Sequence, residues 1–402
     1  TIFNETMNRF VAPVYDGSHL ALPGLSPAFT MRPHQKNAIW RGVQEGTVFF
    51  AHSVGAGKTA VMAGTAMELR RIGQARKPVI LVPNNLITQW PAEFLRYYPA
   101  ARILAATQQD LEKDRRQQFF GRIATGDWDS VILPYSSFQF IPVSDELFNR
   151  FLQQELQTLE SYLTQYRAGL GKNHATVKDL EKAKKRLEAK LKIRRDVERQ
   201  SKLLTWEELG VDSLFVDEAH SYKNLFLSTK MGRIAGVSTS DAKRAFDLFT
   251  KVRYLQELMN GRNIFFASGT PISNSIQEAY TIQRYLQPQM LEALDSAHFD
   301  AWANNFGDLR TRMEVSPTGK GFTSRTTFSK LRNAQVLLRS MQQVLDVQTA
   351  DMLQLPRPGL IGGKPEVVSV PASPALTAYV ETLLERSKNL KNVDPHDDNM
   401  LR

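Results

Sequence analysis

Between residues 47 and 290, short apolar runs alternate with amphipathic stretches. This alternation restricts the fold more than any other feature of the chain. It predicts an α/β architecture, a doubly wound parallel sheet, with candidate strands at Val48–Ala51, Val79–Val82, Arg102–Ala105, Ser130–Leu133, Ser213–Val216 and Asn263–Ala267. Most of these runs lead into a polar or glycine-containing turn and then a helix. Ligands of such sheets bind beyond the carboxyl ends of the strands, so residues with chemistry are expected immediately after the runs.

The first run is followed by Gly55, Ala56, Gly57, Lys58 and Thr59, then by small and apolar residues from Ala60 to Ile72 at helical spacing. The strict phosphate-loop pattern would place a glycine at position 52, where this chain has His52. The physically necessary parts remain. Two glycines let backbone N–H groups turn inward, a lysine reaches the β and γ phosphates, and a hydroxyl serves magnesium. The helix that follows would present its N-terminus to the anion. Taken alone, the stretch also reads as a plain strand-to-helix turn.

The run Ser213–Val216 ends in Asp217, Glu218, Ala219 and His220. Two adjacent carboxylates at a strand end divide labour: one holds the water shell of magnesium, while the other accepts a proton from an attacking water. Together with Gly57-Lys58-Thr59 this predicts a nucleoside-triphosphate site. Neutral donors at other strand ends, Asn84, Asn85, Thr88, Ser136 and Ser137, suit phosphate oxygens of a nucleic-acid backbone, and each taken singly suits helix capping equally well. Trp90 shares a helical face with Leu86 and Phe94 and reads as core.

One region interrupts the alternation. Leu152, Leu156, Leu159, Leu163, Tyr166 and Leu170, then Val177, Leu180, Leu187 and Leu191, predict an antiparallel helical hairpin over about 145–204. Residues 172–202 carry twelve lysines and arginines against five acidic residues, a solvated face or a duplex-contacting or partner-docking prong. Beyond 292 the pattern weakens: "EVSPTGKGFTSRTTF" reads as a loop, "KLRNAQVLLRSMQQVLDV" as an amphipathic helix and "LPRPGLIGGKPE" as a linker, with a boundary near Gly359. The organisation expected is an N-terminal arm (1–30), an ATP-binding lobe (31–292), a helical inter-lobe region (293–358) and a linker opening a second lobe (359–402).

The net charge of +10 suggests a polyanionic partner. With no cysteine, the chain has no disulfides and no thiolate metal sites. No apolar run reaches membrane-span length, and the first residues lack the character of a secretory signal, so a cytoplasmic location is expected.

These motifs, in this order, resemble those of superfamily 2 helicases of the DEAH-box type, and within them the Snf-type DNA translocases, over residues 31 to about 290. "MRPHQ" resembles the adenine-recognition element, which implies base contacts by Arg32 and Gln35. "AHSVGAGKT" is similar to the first motif, "LVPNNLITQWPAEF" and "ILPYSSF" to segments that touch a nucleic-acid backbone, and "DEAHSYKN" to the Snf-type second motif. "ASGTPISNS" resembles the third, in which hydroxyls, here Ser268 and Thr270, couple the nucleotide site to DNA; the resemblance gives His220 a part in the same coupling. The resemblance implies a RecA-like first lobe, with ATP and Mg2+ as cofactors, Thr59 and Asp217 on the metal, and Lys58, Asp217 and Glu218 in catalysis.

The same resemblance implies a second lobe that supplies an arginine finger. No such motif occurs before Arg402, so the chain is expected to be part of a larger polypeptide and to bind ATP better than it hydrolyses it. In style it resembles the motor portions of very large phage and plasmid proteins that also carry adenine-methyltransferase regions. The function expected is double-stranded DNA translocation. The alternatives are a strand-separating helicase and an ATP-switched protein scaffold, against which the intact Glu218 argues, since a switch can dispense with a base.

Overall fold

A computed structural model describes residues 13–107, 109–170, 181, 185, 203–227, 229, 243–273, 275–315, 322–354 and 368–389. The strands are β1 (Thr47–His52), β2 (Pro78–Val82), β3 (Ile103–Ala105), β4 (Ser130–Pro134), β5 (Ser213–Val216), β6 (Ile264–Ala267), β7 (Gly307–Val315), β8 (Phe322–Leu331) and β9 (Leu345–Gln348). Seven of them form one parallel sheet in the order β3-β4-β2-β5-β6-β1-β9, while β7 and β8 pair separately. The fold is the doubly wound parallel α/β sheet expected from the sequence. Its first six strands fall on the six apolar runs, with ends displaced by no more than one residue.

The runs are apolar throughout because the sheet is covered on both sides. One face carries Phe49, Leu81, Leu133, Leu214, Val216 and Phe266 into one core. The alternate residues Val48, Phe50, Ile80, Val82, Phe215 and Ala267 enter another. On the second face the rings of Phe50, Phe265 and Phe215 stack across β1, β6 and β5, with centroids 6.3 and 4.5 Å apart. Helices α1 (Pro33–Glu45), α2 (Lys58–Arg71) and α3 (Gln89–Tyr97) cover this face through Ile39, Met62, Leu69, Trp90 and Phe94.

The first face is covered by α4 (Lys113–Thr125), the short α5 (Tyr135–Phe138), α6 (Asp145–Leu170), α7 (Lys243–Leu258), α8 (Gln277–Leu286), α9 (Pro288–Ala293), α10 (Phe299–Phe306) and α11 (Ala334–Gln342). The first arm of the expected hairpin is α6, which seats Phe151, Leu152 and Leu159 in this core and pairs Glu155 with the half-buried Arg284 at 2.7 Å. Except for the helical residues Glu181 and Lys185, its basic second arm lies outside the described residues, as does the boundary expected near Gly359.

Two readings of the region beyond 292 are corrected. "EVSPTGKGFTSRTTF" is not a loop throughout: its ends lie in β7 and β8, where alternating threonine, serine and phenylalanine favour an extended chain over their polarity. The helix expected through "KLRNAQVLLRSMQQVLDV" is confined to Ala334–Gln342, and Leu345–Gln348 becomes a strand. Pairing with the free edge of β1, in the register Phe49↔Leu345 to His52↔Gln348, overrides local preference there.

The chain separates into two units, Thr1–Arg310 with Thr326–Leu355, and Thr311–Arg325 with Pro356–Arg402. The first holds the seven-stranded sheet; the second includes α12 (Pro374–Asn389). In the first, Leu20 and Leu22 from the expected N-terminal arm are buried in the same core as α1 and α2. Among the described residues no helix is long and apolar enough to cross a membrane.

Candidate active site

Three loops leave neighbouring strands at their carboxyl ends: residues 53–57 after β1, 217–222 after β5 and 268–270 after β6. In the first, Gly55 and Gly57 take left-handed φ values of 86° and 84°. Only glycine adopts these freely. A Cβ on Gly57 would also lie 2.2 Å from Gln35 Nε2. The loop feeds α2 directly, so Lys58 is the first helical residue and the half-buried Thr59 the second. Lys58 Nζ donates to the His52 carbonyl at 3.2 Å.

The loop is held from two sides. Gln35 is buried on α1: its Nε2 donates to the Ala56 carbonyl at 3.1 Å and its Oε1 accepts from the Arg32 N–H at 2.8 Å. His34 Nε2 lies 3.0 Å from the same Ala56 oxygen. The structure thus turns the Gln35 amide inward onto the loop, while Arg32 is exposed. On the other side His52, fully buried, meets Asp346 of β9 at 2.6 Å, and Arg41 of α1 reaches the same carboxylate at 3.3 Å. Burial pushes the Asp346 carboxyl up, but His52 and Arg41 outweigh it and hold it below the usual carboxylate range. His52, whose residue type broke the strict loop pattern, is therefore the anchor between β1 and the last strand.

Asp217 is buried at the end of β5, where the Trp90 indole N–H donates to its Oδ2 at 2.8 Å and the Glu218 N–H to its Oδ1 at 3.0 Å. Burial pushes its carboxyl up, the Trp90 hydrogen bond opposes that, and the Glu218 charge adds to it. Glu218 takes the left-handed conformation at φ 48°, ψ 48°. For a residue with a Cβ this costs roughly 1–2 kcal/mol. Two bonds meet the backbone at this point: the Tyr135 hydroxyl donates to the Asp217 carbonyl and lies 3.2 Å from the Glu218 carbonyl.

The Glu218 side chain completes a small network. Its Oε2 lies 3.1 Å from His220 Nδ1 and 3.4 Å from Ser268 Oγ. His220 Nδ1 and Ser268 Oγ are themselves 3.0 Å apart, and Ser268 Oγ accepts from the Thr270 N–H at 3.1 Å. Ser268 is buried and Thr270 exposed. Between them Gly269 faces the first loop: a Cβ there would lie 3.7 Å from Lys58 Nζ. A further tie joins the same two segments, since Lys223 Nζ reaches Ser273 Oγ at 3.0 Å and Glu278 Oε1 at 2.9 Å.

The residues expected at a nucleic-acid backbone lie beyond β2 and β4. Asn84, Asn85 and Thr88 are exposed, and Asn84 Oδ1 accepts from the Ser136 N–H at 3.2 Å, joining the two segments. Ser137 departs from the expectation. It is 1% exposed, on the side of α5 that Tyr135 and Phe138 turn into the core, so its hydroxyl does not face solvent.

Among the described residues no three His, Cys, Asp or Glu side chains converge on a metal position. A divalent ion beside Asp217 and Thr59 would draw its remaining ligands from phosphate oxygens and water, the usual arrangement for Mg2+. A buried carboxylate made costly by desolvation suits such an ion.

Sequence reasoning did not find Tyr135, Asp346 or Arg41. For Tyr135 a signal existed, its place immediately after a strand. The other two become site residues only once β9 pairs with β1.

The family model described as "Probable helicase domain" matches residues 40–349. Over 335 residues the chain is 20% identical to "Defense against restriction protein B" of Escherichia phage P1, a match covering 71% of this chain and 14% of that protein. Over 92 residues it is 37% identical to "Uncharacterized ATP-dependent helicase YqhH" of Bacillus subtilis (strain 168), covering 22% of this chain and 16% of the other. The chain thus spans about one seventh of the length of these curated relatives. Among solved structures, "Sulfolobus solfataricus SWI2/SNF2 ATPase core in complex with dsDNA" aligns with a TM-score of 0.44 and 14% identity, over 94% of this chain and 56% of that one.

Proposed function

The chain belongs to the probable helicase domain family, and from that membership we propose that it is the first lobe of an ATP-dependent motor that translocates on double-stranded DNA. The observation that carries this reading is the meeting of three loops at adjacent strand ends. Lys58 follows the first, Asp217 and Glu218 lie on the next, and Ser268 on the third, with Glu218, His220 and Ser268 joined by contacts of 3.0–3.4 Å.

In this reading the N-terminus of α2 and the Lys58 ammonium receive the triphosphate. Thr59 and Asp217 would hold Mg2+, which neutralises charge on the phosphate oxygens when bound. Glu218 takes the proton of the attacking water. Its carboxylate is half-buried and aligned by His220 and Ser268. Arg32 and Gln35 serve the base, which requires the Gln35 amide to exchange its bond to Ala56 for one to adenine. Asn84, Asn85, Thr88 and Ser136 lie on the duplex side. Neutral donors of this kind contact phosphates without reading sequence.

The test is ATP hydrolysis by the intact protein with and without duplex DNA. Stimulation by duplexes of unrelated sequence, with no separation of a labelled strand, is the expected result. Stimulation confined to unwinding substrates would favour a strand-separating helicase. Hydrolysis indifferent to DNA would remove the motor reading.

A second expectation concerns Trp90. Its indole N–H is the one side-chain donor on Asp217 among the described contacts. Trp90→Phe keeps most of the packing volume and removes that bond. A hydrogen bond to a charged group contributes about 1.5–3 kcal/mol, so Mg2+-dependent nucleotide affinity should fall about 10-fold or more, measured by titration at fixed Mg2+. Affinity within twofold of the parent would show that Asp217 is positioned without it.

A further inference from the structure

The geometry points to Tyr135 as the residue that transmits contact with a duplex to the catalytic carboxylates. The inference rests on the proposed function, since it presumes a duplex on one side of α5 and a nucleotide on the other.

Tyr135 stands where the two sides meet. It opens α5 at the end of β4, and the next residue, Ser136, is tied by its N–H to Asn84 Oδ1 at 3.2 Å. Asn84 and Ser136 belong to the group of neutral donors facing outward beyond β2 and β4. The Tyr135 ring points the other way. It is buried and meets the Tyr222 ring edge-on at a centroid distance of 5.0 Å. Its hydroxyl ends on the carbonyls of Asp217 and Glu218, the two residues on which the hydrolysis reading depends.

Those two carbonyls flank the strained position. The hydroxyl fixes the peptide planes on either side of Glu218, whose left-handed backbone aims the carboxylate at His220 and Ser268. One rigid side chain therefore spans from an outward-facing backbone segment to the backbone of the general base. A small displacement of Ser136 on meeting a phosphate carries Tyr135 with it and turns the Asp217–Glu218 peptide. No other described side chain hydrogen-bonds both carbonyls.

Burial pushes the Tyr135 hydroxyl well above its ordinary range, so it remains a neutral donor at any working pH. The link is therefore mechanical and independent of titration.

The experiment measures coupling between the two ligands. The affinity of a non-hydrolysable ATP analogue is determined for the intact protein with and without saturating duplex, and duplex affinity with and without the analogue. Thermodynamic linkage requires the two ratios to agree, and site-to-site coupling is typically about 5- to 150-fold. In the parent protein a ratio in that range is expected. In Tyr135→Phe, which keeps the ring against Tyr222, the ratio should fall to within about twofold of unity, while each ligand alone binds with an affinity close to the parent's.

If both affinities fall and their ratio is preserved, Tyr135 is a packing residue and the inference is wrong. If the parent binds both ligands without coupling, the inference is also wrong while the motor site stands. If the parent does not bind duplex at all, the proposed function fails and takes the inference with it. Should the variant fold poorly, hydrogen exchange in the parent decides: added duplex must change the protection of the Glu218 and Ala219 amides, and unchanged exchange overturns the proposal.

Discussion

Lys58→Ala is expected to weaken ATP binding by about 100-fold or more while leaving the melting temperature nearly unchanged. Among the described residues the Lys58 ammonium has a single hydrogen bond, to the His52 carbonyl at 3.2 Å, and no carboxylate within ion-pair distance. Each hydrogen bond from an ammonium to a phosphate oxygen contributes about 1.5–3 kcal/mol, so losing two of them removes roughly 3 kcal/mol or more, about two decades in affinity. The fold loses only one partly exposed bond. Isothermal calorimetry with ATP and Mg2+ measures the effect directly, and an unchanged affinity would reduce residues 53–59 to an ordinary strand-to-helix turn.

Glu218→Gln separates binding from chemistry. The amide matches the carboxylate in shape and retains one oxygen for Ser268, but it cannot take a proton from water. A positioned general base contributes about 100- to 10,000-fold, so hydrolysis by the intact protein should fall by that factor while nucleotide affinity stays within a few-fold of the parent. Single-turnover measurement at saturating ATP distinguishes this loss from slow product release. A variant that hydrolyses at the parental rate would transfer the base to another group and leave the Glu218–His220–Ser268 network a purely structural one.

Much of this lobe could be read from the chain because a strand buried on both faces leaves a distinctive mark. β1, β2, β4, β5 and β6 are continuous apolar runs, and loop chemistry follows β1, β5 and β6 directly. β9 leaves no such mark. "LDVQ" lies at the edge of the sheet, its residues only partly covered, and it continues a helical pattern that begins at Ala334. What makes it a strand is the open edge of β1, nearly 300 residues away in sequence. The same distance hides the His52–Asp346–Arg41 cluster. Trp90 shows another limit: helical spacing correctly places it in the core, but spacing is blind to a polar atom at the ring's rim that finds Asp217. Ser137 shows the converse, a hydroxyl at a strand end that a one-turn helix rotates inward.

The position of β9 also bears on how such a chain is made. When β6 leaves the ribosome, β1 can pair on one side only, and its other edge waits for a strand roughly 80 residues further on. At about 5–20 residues per second, that edge stays open for roughly 4–16 s. During that interval the nascent lobe presents the unpaired backbone of an apolar strand, the kind of edge on which other chains add. His52 is buried beside that edge in the finished lobe and has no Asp346 to meet until β9 arrives. The loop of residues 53–57 is thus translated among the first elements and secured among the last, so a chain interrupted before Leu345 would keep every residue proposed above to contact nucleotide and still carry an adhesive edge.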